Sequence, residues 1–243
     1  MSGWVVVAGL GPGSEGAVTP EVSAALEAAT DIVGYIPYVA RIAPRPGLTL
    51  HPTDNREELR RARHALELAA AGRRVVVVSS GDPGVFAMAS ALFEALEGWT
   101  APPPDIRILP GITAMLAAAA AAGAPLGHDF CAINLSDNLK PFALIERRLR
   151  LAADADFAMA FYNPRSRSRP DGFARALAIL RECCGNGRII IFARAVSTPD
   201  QQVVTTTLER ATPEMADMRT VVILGNSATR QVGPWVYTPR GME

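Results

Sequence analysis

Residues 5–16 read VVVAGLGPGSEG, an apolar run that stops abruptly at Gly9-Leu10-Gly11-Pro12-Gly13. Four apolar residues without polar alternation read as a buried strand. Glycines at its carboxyl end let a backbone approach a ligand or another backbone closely. The same grammar returns at residues 75–90, VVVVSSGDPGVFAMAS, where a valine strand ends in Ser79-Ser80 and Gly81-Asp82-Pro83-Gly84 turns toward a helix expected from Val85. It returns again at residues 108–116, ILPGITAML, with Pro110-Gly111 and then Thr113. Each turn taken singly is satisfied by turn or capping chemistry. Three along one sheet edge are better explained by a shared ligand crevice at the carboxyl ends of the strands.

Strands are expected at 4–10, 31–35, 74–79, 105–109, 130–135, 156–162, 188–193, 203–208 and 220–224. Helical patterns fall between many of them, at 21–29, 55–71, 85–96, 112–122, 142–153, 172–184 and 213–217. Thr19-Pro20 is a helix start, with Thr as N-cap and Pro in the first turn. Strands alternating with helices predict an α/β fold with a largely parallel sheet. After GAPLG, residues 123–127, helices become fewer and two strands run almost consecutively, which favours antiparallel pairing and a mixed sheet. The expected organisation is therefore two α/β domains, 1–122 and 123–243, with a cleft between them, a favoured place for ligands.

Length and composition bound the function. The chain has 243 residues, 49% hydrophobic and 20% charged, with 24 basic and 24 acidic side chains. A net charge of zero argues against broad electrostatic binding of nucleic acid or an anionic membrane. The opening MSGWVVV has no basic segment before its apolar run, so no signal peptide is expected and the chain reads as cytoplasmic. The alanine-rich stretch 112–126 is too short and too weakly apolar to span a bilayer. Cys131, Cys183 and Cys184 make neither a disulfide framework nor a metal pattern, and His51, His64 and His128 are scattered, so no protein metal site is expected. All basic residues but Lys140 are Arg. Base composition explains that skew, yet Arg also grips carboxylates with two parallel bonds.

The first glycine turn invites a dinucleotide reading, against which three details stand. Pro12 removes an N–H where a pyrophosphate would sit. The helix begins only at Thr19-Pro20-Glu21. The next acidic residue, Asp31, opens its strand, whereas ribose recognition needs it at the end. A nicotinamide dehydrogenase is the rejected rival.

Two later loops are polar: INLSDNLKP (133–141) and AFYNPRSRSRP (160–170), with Arg165, Arg167 and Arg169 alternating. They read either as solvated loops or as carboxylate-binding ones. A last turn, Ser197-Thr198-Pro199-Asp200, leads into a threonine-rich strand.

Taken in order, GLGPGS, SSGDPGVF, PGITA, FYNPRS and RAVSTPDQQVVTTTL resemble the blocks of the tetrapyrrole methyltransferases, over essentially the whole chain. The resemblance implies two α/β domains, a homodimer, and S-adenosylmethionine in the interdomain cleft, leaving as S-adenosylhomocysteine. Carried over by motif, the donor contacts would be Pro12, Gly81, Asp82, Val85, Thr113, Ala114, Asn163 and Ala195. The blocks SSGDPGVFAMA and HDFCAINLSDNLKPF resemble most the branch acting on precorrin-3B, with methylation at C17 and ring contraction. Contraction needs proton movement, so an acid or base is expected among Asp82, His128, Ser136 and Asp137, with the Ser136–Asp137 loop favoured. Arg56, Lys140, Arg165 and Arg167 are the expected partners of the substrate's carboxylates. The alternatives are methylation at C11 or C20, a cobalt-containing substrate, or a carrier without catalysis.

Overall fold

The computed structural model describes residues 3–241; Met1 and Ser2, where the reading for a leader segment begins, lie outside them. The chain divides between Thr113 and Ala114 into two compact units.

The first unit runs β1 (Trp4–Gly9), α1 (Pro20–Ala28), β2 (Asp31–Tyr35), α2 (Ile36–Val39), β3 (Thr49–Thr53), α3 (Glu58–Ala70), β4 (Arg74–Ser79), α4 (Met88–Glu97) and β5 (Asp105–Leu109). Its strands form one sheet in the order β3-β2-β4-β1-β5, parallel throughout. Valines explain why. Val5, Val7, Val75 and Val77 point to one face and pack under α3 and α4. Val6, Ala8, Val76 and Val78 point to the other and pack under α1. The period of two along each strand thus fills two cores at once. All seven valines of 5–7 and 75–78 are fully buried, each contributing about 1.5–3 kcal/mol by leaving water. Thr19 caps α1 as read, accepting the Val22 N–H at 3.3 Å.

The edge strand β3 was not expected, and α4 begins at Met88 rather than Val85 because Phe86 takes a left-handed backbone, φ 53°. Likewise α3 begins at Glu58, after an Asp54-Asn55-Arg56 turn, rather than at Asn55.

Beside β3 lies a buried polar knot. Asp31 accepts from Thr30 Oγ1 at 2.7 Å and Arg73 Nε at 2.7 Å, and lies 3.0 Å from His51 Nε2. His51 Nδ1 meets His64 Nε2 at 3.1 Å. Two histidines read as scattered are therefore neighbours, and Asp31 is committed to the frame. Burial alone would raise its carboxyl, but the hydrogen bonds of Arg73, Thr30 and His51 and the Arg73 charge hold it below its ordinary value. A carboxyl depressed in the folded state adds stability above its unfolded pKa, and that gain is lost as pH falls through the folded value. Asp31→Asn is expected to cost about 1–3 kcal/mol at neutral pH. It should also flatten the loss of stability below about pH 4, measured by urea unfolding at a series of pH values.

The second unit runs α5 (Ala114–Ala122), β6 (Gly123–Ala124), β7 (Phe130–Asn134), α6 (Phe142–Asp154), β8 (Ala158–Tyr162), α7 (Gly172–Cys183), β9 (Ile189–Arg194), β10 (Gln202–Thr207), β11 (Thr220–Leu224), β12 (Arg230–Val232) and β13 (Trp235–Tyr237). Its main sheet, β10-β9-β11-β8-β7, is mixed: β7 and β8 are parallel, and the other pairs antiparallel. A small sheet, β12-β13-β6, joins the unit's opening strand to two later ones. The segment 213–217 is a short 3-10 turn at Pro213–Met215 rather than a helix. The division falls before α5, not after it, because Ala118, Ala119 and Ala122 pack on Ile191, Ala193, Val221 and Ile223. Cys184 is buried in this unit's core, while Cys183 is exposed.

Candidate functional site

The loops after β1, β4 and β5 come from three adjacent strands, and they meet through glycine. Gly11 and Gly81 form an antiparallel bridge, with Gly81 N–H to Gly11 O at 2.8 Å and Gly11 N–H to Gly81 O at 3.2 Å. Leu10 N–H donates to Ser79 O at 2.8 Å. A Cβ on Gly9 would sit 2.5 Å from Gly81 O and 2.8 Å from Gly111 N, so only glycine lets the three backbones close. Gly11 also needs its φ of 66°.

Asp82 locks the joint. Its Oδ1 accepts Gly84 N–H at 2.8 Å and its Oδ2 accepts Gly111 N–H at 3.1 Å. Both carboxylate oxygens thus take backbone donors, one within its own turn and one across to the next loop. The Asp82 side chain does not cap a helix at Val85, whose N–H goes to the Asp82 carbonyl at 3.3 Å. Arg41, which follows α2, donates through Nη2 to Leu10 O at 2.8 Å and Gly13 O at 3.3 Å. Around the joint stand Pro12, Val85 and the buried Thr113. Of the residues expected to hold a donor, Pro12, Gly81, Asp82, Val85 and Thr113 thus lie on these three loops of one unit. Arg56 lies on the loop after β3, with φ 65°.

The remaining candidates belong to the second unit. Ala114 opens α5, whose Met115 N–H donates to Tyr162 Oη at 2.9 Å. Asn163 follows β8 with φ 51°, and its Nδ2 donates to Asn134 Oδ1 at 3.1 Å. The same Asn134 oxygen accepts Ser136 N–H at 2.9 Å, tying the loops after β7 and β8 together. Arg169 Nη1 donates to Asn163 O at 3.2 Å, closing the turn that puts Arg167 at its exposed tip. Arg165 keeps a buried Nε with no hydrogen-bond partner. Lys140 is partly buried; burial, with the Arg148 and Arg169 charges, pushes its ammonium below the ordinary lysine range against the pull of Asp137. Ala195 follows β9 with φ 50°, and its carbonyl accepts Thr198 Oγ1 at 2.8 Å.

Of the four acid–base candidates, the three in the second unit do not converge. Ser136 and Asp137 follow β7 while His128 precedes it, and a five-residue strand separates its ends by about 13 Å. Among the described residues, six non-glycine positions take positive φ, and five of them follow the carboxyl ends of strands: Arg56, Phe86, Asn163, Ala195 and Ser197. Such strain costs about 1–3 kcal/mol a residue and gathers at functional edges. No group of three or more His, Cys, Asp or Glu among the described residues is arranged to hold a metal. No helix among them is long and apolar enough to cross a membrane.

Sequence reasoning did not single out Arg41, Asn134 or Tyr162, because the bonds that tie them to distant loops are long-range and leave no local pattern.

Comparison with known proteins follows the same residues. The family model described as Tetrapyrrole (Corrin/Porphyrin) Methylases matches residues 5–212. A precorrin-3B C(17)-methyltransferase from Sinorhizobium is 49% identical over 99% of this chain and 97% of its own. A solved structure titled as that of the methyltransferase CobJ is 76% identical, with a TM-score of 0.94 over 98% of this chain and 100% of its own. A uroporphyrin-III C-methyl transferase from Thermus thermophilus, solved with S-adenyl homocysteine, shares the fold. Its TM-score is 0.70 at 22% identity, covering 91% of this chain and 96% of its own.

Proposed function

The chain belongs to the tetrapyrrole (corrin/porphyrin) methylases, and on that premise we propose that it methylates precorrin-3B at C17 in cobalamin biosynthesis. In this reading the ring contracts in the same step, S-adenosylmethionine is the donor, and S-adenosylhomocysteine is released. The observation that carries the activity is near-complete overlap, at 49% identity, with a precorrin-3B C(17)-methyltransferase. The resemblance adds a homodimer.

The glycine joint fits such a donor. It is built of backbone held by two charged side chains: the Asp82 carboxylate is taken up by two N–H groups and the Arg41 guanidinium by two carbonyls. Gly81, Asp82, Pro12, Val85 and Thr113 would hold the donor, with Ala114, Asn163 and Ala195 as the second unit's contribution. When bound, the donor supplies a methyl group on a sulfonium, an already activated leaving group. What the protein must add is alignment, which can supply several kcal/mol of the barrier. A joint of three hydrogen-bonded loops is suited to that, because it does not have to be organised during the reaction. The Ser136–Asp137 loop is the proposed place for proton movement during contraction. Arg56, Lys140, Arg165 and Arg167 are the proposed carboxylate partners; an exposed pairing contributes about 0–1 kcal/mol and a buried one about 1.5–3 kcal/mol.

The test is a single-turnover incubation of the protein with precorrin-3B and labelled S-adenosylmethionine, read by mass and NMR. The expected product carries one new methyl at C17 on a contracted ring. Methylation without contraction would remove the second activity from this chain. Transfer only to a cobalt-containing substrate, or only at C11 or C20, would overturn the substrate while keeping the methylase. Pigment bound with no transfer at all would make it a carrier.

A further inference from the structure

The outer half of the first glycine loop hangs from a single side chain. Leu10 N–H is spent on Ser79 O at the end of β4, Gly11 N–H on Gly81 O, and Gly11 O on Gly81 N–H. Pro12 has no N–H to give. The carbonyls of Leu10 and Gly13, on either side of Gly11-Pro12, are both taken by Arg41 Nη2, at 2.8 and 3.3 Å. One guanidinium nitrogen therefore brackets the turn. Its planar geometry makes it a two-point clamp that a rotating side chain would not match. Arg41 is partly stripped of water, which lowers its pKa, and the Tyr38 and Glu15 charges oppose that shift.

We infer that Arg41 is a positioning residue for the methyl donor, holding Pro12-Gly13 in the conformation that the donor meets. The inference rests on the donor reading of this loop given above. Arg41 needs no contact with the donor itself. Its effect passes through the backbone of residues 10–13, so it falls on donor binding and leaves the second unit's substrate loops alone.

Calorimetric titration with S-adenosylhomocysteine tests it on the full chain, for the wild type, Arg41→Met and Arg41→Lys, with melting temperatures alongside. Arg41→Met keeps the stem and loses the donors. It is expected to bind about tenfold more weakly or worse, since each 1.4 kcal/mol is a factor of ten. Arg41→Lys keeps a cation and some donors, and is expected to fall between the two. In turnover, KM for S-adenosylmethionine should rise while KM for precorrin-3B and kcat at saturating donor stay near wild type. A merely structural role would instead lower the melting temperature and move both KM values together, overturning the proposal. If Arg41→Met fails to fold, Arg41→Lys decides: wild-type affinity for S-adenosylhomocysteine at wild-type stability overturns it. Equal affinity in all three proteins also overturns it. A wild type that binds no S-adenosylhomocysteine removes the donor reading, and the proposal falls with it.

Discussion

Gly9→Ala is expected to abolish measurable S-adenosylhomocysteine binding, with affinity falling by about a hundredfold or more. The new methyl would meet Gly81 O at 2.5 Å, Gly111 N at 2.8 Å and the Gly111 Cα at 2.9 Å. These are backbone atoms at the ends of three paired strands, so no side chain can swing away to make room. Relief has to come from parting the loops, which breaks the Gly11–Gly81 bridge and moves Asp82 off Gly111. Overpacking of this kind costs about 1–3 kcal/mol of stability, but the functional loss should exceed the structural one. Calorimetry with S-adenosylhomocysteine and thermal unfolding on the same preparation separate the two. An alanine variant that binds like the wild type would mean that the joint is not where the donor sits. Gly111→Ala, which would press on Gly81 O and Gly9 O, should reproduce the defect.

Asp82→Ala is the second large effect, and its signature differs. Two charge-assisted hydrogen bonds disappear, to Gly84 and Gly111. Bonds of that class contribute about 1.5–3 kcal/mol each. With about one bond's worth of that loss falling on the donor-binding geometry, affinity for S-adenosylhomocysteine should drop about ten- to a hundredfold, and the melting temperature should drop with it. The joint loss identifies Asp82 as the tie between two loops. Loss of affinity with the melting temperature unchanged would instead make Asp82 a direct contact of the donor. Asp82→Asn keeps one acceptor oxygen but turns an NH2 toward a backbone N–H, so it should recover little.

Much of this architecture is legible in the residues. The valine runs at 5–7 and 75–78 leave no alternative to doubly covered central strands, and each ends in glycine where the joint forms. The strand β3 was hidden because TLHPT carries Pro52 and little apolar character; an edge position, paired only to β2, is what allows proline there. The helix α5 is nearly all alanine and has no apolar stripe to say which unit it covers, so the division at Thr113 could not be read from its sequence. Phe86 and Ala195 give no hint of a left-handed backbone, since neither residue favours one. The glycine turns announced a site, but the hydrogen bonds that assemble it span 29 residues from Asp82 to Gly111 and 31 from Arg41 to Leu10. No local pattern distinguishes Arg41 from the other arginines.

The pairing of β13 with β6 has a bearing on the order in which the protein is made. Every strand of the first sheet is contained in residues 4–109, so that sheet can close while later residues are still being translated. The second unit has no such independence. Val236 pairs with Gly123 and is buried against α5, and Thr238 donates to Pro125 O at 2.6 Å. The segment that opens this unit therefore waits for residues 113 positions later in the chain. Until they arrive, the alanine helix lacks part of its cover, and a nascent chain halted after β11 carries this unit's five-stranded sheet beneath an unfinished surface.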